Sequence, residues 1–325
     1  MNSTATANAQ HYDLVIIGAG IAGLAAGRAA QDSGKNVLLV DKGRRIGGRV
    51  STRRADGFVF NHGAQFLTAR DPEFAAVCQS AIKDNALAAW QLGARDAFVG
   101  APFMRALPMF MGTGLAIQQE CEIATITADG DVISFANANG VVATAARAII
   151  SAPAPQAAKL VAEVAPELVD TANAASYAPC WTALFGFDTL PANIPDDVYQ
   201  AAPGTADVIG WAGWEHQRPV AGSDGKYALT IQASPAWSRA HIEQDRPDNL
   251  TALRAAYEEI ASVSLGTPAY AAAHRWLYAK VETAAPAEMK RVSDCGRVAI
   301  AGDWLGGPRI EHAYLSGKAA AAMIG

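Results

Sequence analysis

Three glycines near the start of the chain have a spacing suited to holding a phosphate. Gly18, Gly20 and Gly23 follow the apolar run LVII at 14–17 in a GxGxxG pattern, and a helix is expected over 24–31. In this pattern the first glycine permits a tight turn, and the second lets backbone approach a pyrophosphate with no Cβ in the way. The third lets helix and strand pack closely. Ile21 and Ala22 fill the intervening positions, where the helix N-terminus would present free N–H groups to the phosphate charge. A second buried run, VLLV at 37–40, ends in Asp41, a carboxylate placed to accept hydrogen bonds from a ribose diol and to disfavour a 2′-phosphate. A glycine-rich turn without a ligand would explain the glycines alone. Strand, glycines, helix, strand and acid in this order point to a dinucleotide.

The residues after Asp41 narrow the choice. The run from Lys42 through Arg44 and Arg45 to Gly47, Gly48 and Arg49 resembles the RxGGR signature that follows the ribose acid in the amine-oxidase group of FAD proteins. The two glycines would let backbone lie against the cofactor while arginines neutralise its diphosphate. Arg49 and Arg44 are the expected contacts, with Lys42 beside them. The remaining arginines of the stretch, Arg45, Arg53 and Arg54, read equally well as a solvated basic loop.

A late segment agrees. The run RVAIA at 297–301 leads into Gly302 and Asp303, and after LGGPRIEH a helix is expected over 313–323. In flavoproteins with this organisation an aspartate at that point binds the ribityl chain, and the next helix aims its N-terminus at the flavin pyrimidine. The resemblance therefore implies contacts from Gly302, Asp303, Arg309, Ile310 and Ala313, and from the loop Gly63, Ala64, Gln65 and Phe66. For Asp303 a turn or cap role is the alternative.

The residues that would face a substrate are less distinctive. His274, Trp276 and Tyr278 alternate in HRWLYA, and in an extended segment they would share one face, an aromatic wall for a flat ring. A strand packing its aromatics into a core is the competing reading. His62 reads as well as a turn histidine, and Trp237 as a core residue. No Ser/His/Asp set suggests hydrolysis. The four cysteines (78, 121, 180 and 295) are widely spaced and form no zinc knuckle, so they read as buried free thiols, and no metal site is expected.

These residues need a scaffold large enough for two cores, and 325 residues suffice. Strands are expected over 120–128, 132–136, 146–151, 182–187 and 228–233, and a helix over 248–262. The fold class is α/β, with a discontinuous Rossmann-like FAD-binding domain (1–70, 104–157 and 292–325) and a mixed α/β substrate domain (71–103 and 158–291). A net charge of −5 argues against nucleic acid as a partner. No apolar run reaches the roughly 20 residues of a spanning helix. The N-terminal residues show no secretory pattern, so a cytoplasmic location is expected.

Several segments in matching order resemble the renalase-like flavoproteins: DKGRRIGGRVSTRR at 41, GAQFLTARDPEF at 63, SAPAPQA at 151, SPAWSR at 234, AHRWLYA at 273 and AGDWLGGPRIEHAYLSGKAA at 301. The resemblance implies noncovalent FAD and oxidation of 2- or 6-dihydro isomers of NAD(P)H to NAD(P)⁺, with O₂ reduced to H₂O₂. A flavin amine oxidase acting on an amine is the alternative, and a flavoprotein with a binding role is a third. Amine oxidases place a lysine near flavin N5, but Lys280, Lys290 and Lys318 sit in no matching motif. His312 departs from the renalase pattern, which has a small residue there, and becomes a candidate pocket residue.

Overall fold

The computed structural model describes residues 10–202, 207–220 and 225–325. Residues 1–9, on which much of the reading of the N-terminus rests, lie outside the described residues.

Two sheets organise the chain. In the first, strands Ala116–Gln118, Val37–Val40, His11–Ile17 and Gly140–Ile150 run side by side in parallel. Val298–Ile300 pairs in parallel with the end of Gly140–Ile150, while Val132–Asn137 and Thr125–Asp129 extend its start as an antiparallel meander. Strand alternation gives this sheet two cores. Leu14, Ile16, Val37, Leu39 and Ile149 point to one side, where helices Ile21–Asp32 and Ile310–Met323 cover them. Val15, Ile17, Leu38, Val40 and Ile150 point to the other, against helix Ala154–Val161 and the fully buried Trp304. The two covering helices touch backbone to backbone, since a Cβ on Gly317 would stand 2.0 Å from the Ala22 carbonyl oxygen.

The second sheet is antiparallel, in the order Tyr199–Gln200, Ile209–Trp214, Tyr227–Ala233, Ser176–Phe187 and Tyr270–Thr283. One face carries Trp181, Phe185, Leu229 and Ile231 and packs on helix Arg246–Ala261 through Leu253 and Tyr257. The opposite face carries Leu184 and Ala228 and packs on Phe58 and Phe60 of the hairpin Arg53–Ala55/Phe58–Phe60. Helix Pro72–Lys83 and the hairpin Leu87–Leu92/Arg95–Gly100 join the two sheets. Phe74 packs on Tyr314 of the last helix (centroids 5.2 Å apart) and Trp90 on Trp211 of the second sheet (6.2 Å).

The differences from expectation have local causes. The first helix begins at Ile21, because the Leu24 N–H already bonds the Gly20 carbonyl (2.9 Å). The strand expected from 120 begins at Thr125. Glu120 takes a positive φ of 53°, and the N–H groups of Glu120 and Cys121 turn to the carbonyls of Gly43 and Asp41. The closing strand begins at Gly140 rather than 146 because its first half pairs with the meander. All four thiols are free, but only Cys78 and Cys121 are buried. Cys180 is half-buried and Cys295 is exposed in the turn before the last strand. Trp237 is half-buried, stacked on His241 at 4.1 Å between centroids.

Candidate dinucleotide and substrate site

The two glycine loops lie against each other. Gly18 has φ +102°, and a Cβ on Gly23 would come within 1.9 Å of the Gly18 oxygen, so helix and turn meet with no room for a side chain. The Gly47 N–H bonds the Ala19 carbonyl (2.8 Å), which brings the 47–48 turn beside Gly20. Asp41 holds this arrangement by accepting from the N–H groups of Ala19 and Gly43, both at 2.6 Å. Gly20 itself has φ −77° and ψ 179°, open to any residue, and a Cβ there would meet no protein atom within 4 Å. Neither backbone conformation nor packing within the protein requires a glycine at this position. Lys42 is exposed and pairs with Glu122 at 3.4 Å, and Arg44 is exposed.

The structure brings Arg49 and Asp303 together. Two hydrogen bonds, 2.9 and 2.7 Å, join the guanidinium to the carboxylate, and Arg49 lies over the Tyr177 ring at 5.6 Å. Burial opposes the Arg49 charge, but Asp303 outweighs it and raises the guanidinium pKa. The Gly302 N–H donates to Ser316 Oγ at 3.0 Å, fixing the strand end to the last helix. Ile310 opens that helix and Ala313 lies in its first turn, while Arg309 pairs with Glu311 at 3.5 Å. The same Glu311 is buried and accepts from the N–H groups of Arg70 (2.5 Å) and Asp71 (2.6 Å). Asp71 in turn caps helix Pro72–Lys83 by accepting from Glu73 and Phe74. The TARD and RIEH motifs are thus two halves of one joint. His312 packs against the Gly306–Gly307 turn.

The segment HRWLYA is extended within strand Tyr270–Thr283, and its alternate side chains face the other loops. His274 and Trp276 lie 5.2 and 5.3 Å from the His62 ring, and Trp276 Nε1 donates to the His62 carbonyl at 2.9 Å. Tyr278 meets Tyr177 at 5.5 Å. Beside His274 in the ladder stand Thr182 and then Gln232, whose amide donates to the Gly63 carbonyl at 2.7 Å. The loop 62–65 is also tied to the second glycine turn, since the Ala64 N–H bonds the Arg49 carbonyl at 2.9 Å. Phe66 leaves this loop to pack on Trp211, 5.7 Å away. Burial, then the His274 ring and Arg53, push His62 down to about 3. Burial, then Arg53 and Arg246, push His274 down to about 4. Both rings are neutral at pH 7.

One part of the site had no sequence signal. Asn61 gives its backbone N–H and its side-chain amide to the Glu215 carboxylate at 2.9 and 2.7 Å. Glu215 forms an ion pair with Arg218 Nε at 2.8 Å. Arg218 also donates to the Gln65 carbonyl (2.6 Å) and to Gln65 Oε1 (2.5 Å). Glu215 and Arg218 are 4% and 5% exposed, so a buried charge pair from the second sheet clamps both ends of the loop that carries His62. Only the four-residue spacing of Asn61 and Gln65, and an acid and base together in WEHQR, could have hinted at it.

Comparison with known proteins fits this geometry. A family model described as an NAD(P)-binding Rossmann-like domain matches residues 16–81. Protoporphyrinogen oxidase 1, chloroplastic, of Arabidopsis thaliana is 32% identical over 22% of this chain and 14% of its own length. Coproporphyrinogen III oxidase of Propionibacterium freudenreichii subsp. freudenreichii is 31% identical over 32% of this chain and 20% of its own. The chain thus matches a fifth or less of the length of these curated relatives. Among solved structures, a protein of Exiguobacterium sp. 255-15 named for protoporphyrinogen oxidase superposes with TM-score 0.73 at 14% identity, covering 100% of this chain and 99% of that one. Cyclohexylamine oxidase from Brevibacterium oxydans IH-35A superposes with TM-score 0.67 at 15% identity, covering 96% and 98%. The fold is shared with these two oxidase structures. It is a mixed α/β fold with a Rossmann-like dinucleotide-binding domain. Among the described residues, no helix is long and apolar enough to cross a membrane, and no cluster of His, Cys, Asp or Glu could hold a metal ion.

Proposed function

We propose that this chain is an FAD-dependent oxidase of the renalase kind, oxidising 2- or 6-dihydro isomers of NAD(P)H to NAD(P)⁺ with O₂ reduced to H₂O₂. The observation that carries it is the aromatic face of His274, Trp276 and Tyr278 set over the loop 62–65, with both histidines neutral. A flat, uncharged nicotinamide ring stacks on such a face, whose two histidines carry no charge at pH 7.

The residues present fit FAD. The open backbone at Gly20 and the N–H groups of helix Ile21–Asp32 would hold the pyrophosphate, Asp41 the adenosine ribose, and Asp303 with Arg49 the region of the ribityl chain. When bound, the flavin supplies a two-electron acceptor whose electrons pass to O₂. Hydride transfer depends on placement and a dry pocket more than on proton transfer. The chain's contribution is therefore positional. The bonds from Trp276 to His62 and from Gln232 to Gly63 fix the substrate-side wall relative to the loop. The neutral histidines leave the transferred proton count to substrate and solvent.

An amine oxidase is the second reading, and the resemblance in fold to cyclohexylamine oxidase favours it. Anaerobic titration of the yellow protein with 2-dihydro-NAD, 6-dihydro-NAD and simple amines decides between them. Bleaching by a dihydro isomer, with H₂O₂ formed in equal amount on admitting air, is expected. Bleaching by benzylamine or a polyamine alone would move the protein to the amine-oxidase class.

A further inference from the structure

Beside the loop 62–65 lies a group of cations that the site above does not use. Arg105, at the start of helix Ala106–Gly112, is 6% exposed, yet its guanidinium has neither a carboxylate nor a carbonyl partner among the described residues. Its guanidinium carbon lies 5.7 Å from the Phe103 ring centroid, and that of Arg54 lies 4.6 Å from the same centroid. Arg54 has no acidic partner among the described residues either. Burial, then Arg45 and Arg54, depress the Arg105 pKa. The group is tied to the candidate pocket through main chain and side chain: the Arg105 N–H donates to Thr52 Oγ1 (3.2 Å), which donates to Asn61 Oδ1 (2.8 Å), next to His62.

A buried cation without a counter-ion is costly, and an arginine cannot escape the cost by losing its proton. Placing like charges around one ring adds repulsion. Both costs vanish when an anion is present, and guanidinium forks suit phosphate oxygens. We propose that Arg105 and Arg54 form a binding site for a phosphate or pyrophosphate group, the anionic part of the substrate whose ring stacks by Trp276. Two guanidinium groups without acidic partners at one ring match a group carrying two or three negative charges better than a single carboxylate, and they repel an amine. The assignment of the anion to the substrate rests on the oxidase reading given above; the anion site itself does not.

The test uses the FAD-loaded protein, in which the pyrophosphate position at Gly20 is filled, titrated calorimetrically with pyrophosphate, inorganic phosphate and acetate. Wild type should bind pyrophosphate more tightly than phosphate, and acetate weakest. R105M should lose at least tenfold in pyrophosphate affinity, R54M several-fold, and R105K should retain part of it. Should R105M fail to fold, the R54M and R105K arms carry the same comparison. In turnover, R105M should raise KM for the dihydro dinucleotide relative to KM for the phosphate-free dihydronicotinamide riboside. Unchanged pyrophosphate affinity in R105M and R54M, or acetate binding as tightly as pyrophosphate, overturns the site. Arginine-dependent pyrophosphate binding with no flavin reduction by either dihydro isomer leaves the site standing and removes the oxidase reading.

Discussion

Glu215→Gln removes one negative charge from a side chain 4% exposed and leaves Arg218, itself 5% exposed, without its ion-pair partner. At 2.8 Å the pair attraction is about 6 kcal/mol for an effective dielectric near 20, and desolvation offsets part of it. Glutamine also turns one acceptor into a donor, so either the backbone N–H or the amide of Asn61 loses its partner. Because Arg218 keeps two bonds to Gln65, the loss should fall near the usual cost of breaking a buried pair, about 3–5 kcal/mol. That is a large share of an ordinary domain's stability of roughly 5–15 kcal/mol. Urea unfolding followed by tryptophan fluorescence measures it, with the exposed Lys290–Asp294 pair as control, whose loss should leave the urea midpoint essentially unchanged. The double variant E215Q/R218M should lose less than the sum of the E215Q and R218M losses, because no unpaired charge remains buried. A cost under about 1 kcal/mol for E215Q, or a double variant whose loss equals the sum of the single losses, would show that this pair does not hold the loop.

Three further outcomes follow from the geometry. His62 and His274 titrate near 3 and 4 in the folded chain against about 6.5 unfolded, so between pH 6.5 and 5 only the unfolded chain gains these protons; stability should drop by about 2 kcal/mol for each histidine over that range, and H62Q should lose about half of the drop. Urea midpoints at pH 7 and pH 5 measure this. Gly20→Ala should leave apoprotein melting nearly unchanged while cutting FAD content, whereas Gly23→Ala, with its Cβ 1.9 Å from a carbonyl oxygen, should lower melting itself; similar melting losses in both would refute the phosphate reading of Gly20. Trp276→Phe deletes the bond to the His62 carbonyl but keeps a ring, so it should slow anaerobic flavin reduction with little change in bound FAD, and an unaltered rate would remove Trp276 from the pocket.

The dinucleotide half of the molecule was legible because its determinants are local. The strand at Val37–Val40 fell where the apolar run placed it, and the order of glycines, helix and acid was readable within the first 41 residues. What local pattern could not supply was the ends of elements decided by distant partners. Residues 120–124 have strand-like composition, but the N–H groups of Glu120 and Cys121 go to the Asp41–Gly43 turn, and the first bond to the neighbouring strand is that of the Ala124 N–H to Ala136. The extended HRWLYA strand was visible from alternation, while its bulge was not. The ladder to Ser176–Phe187 slips between Ala178 and Cys180, where Pro179 has no N–H to offer.

The long-range contacts of the site were less legible for a related reason. They join residues far apart in sequence whose pairing no local pattern signals: Asn61 to Glu215 at 154 positions, Arg49 to Asp303 at 254. Arg49 and Asp303 each invite assignment to a different part of a cofactor when read singly. In the folded chain they neutralise one another, so a ligand reaching either must be recognised by the pair. Changing Asp303 would then leave Arg49 without its acid as well as removing a hydrogen-bond acceptor. Asp303→Asn, which keeps the acceptor but not the charge, should therefore weaken FAD binding by nearly as much as Asp303→Ala. If the asparagine variant instead binds FAD as wild type does, the carboxylate's charge is not what orders Arg49, and Asp303 acts at the cofactor as a hydrogen-bond acceptor alone.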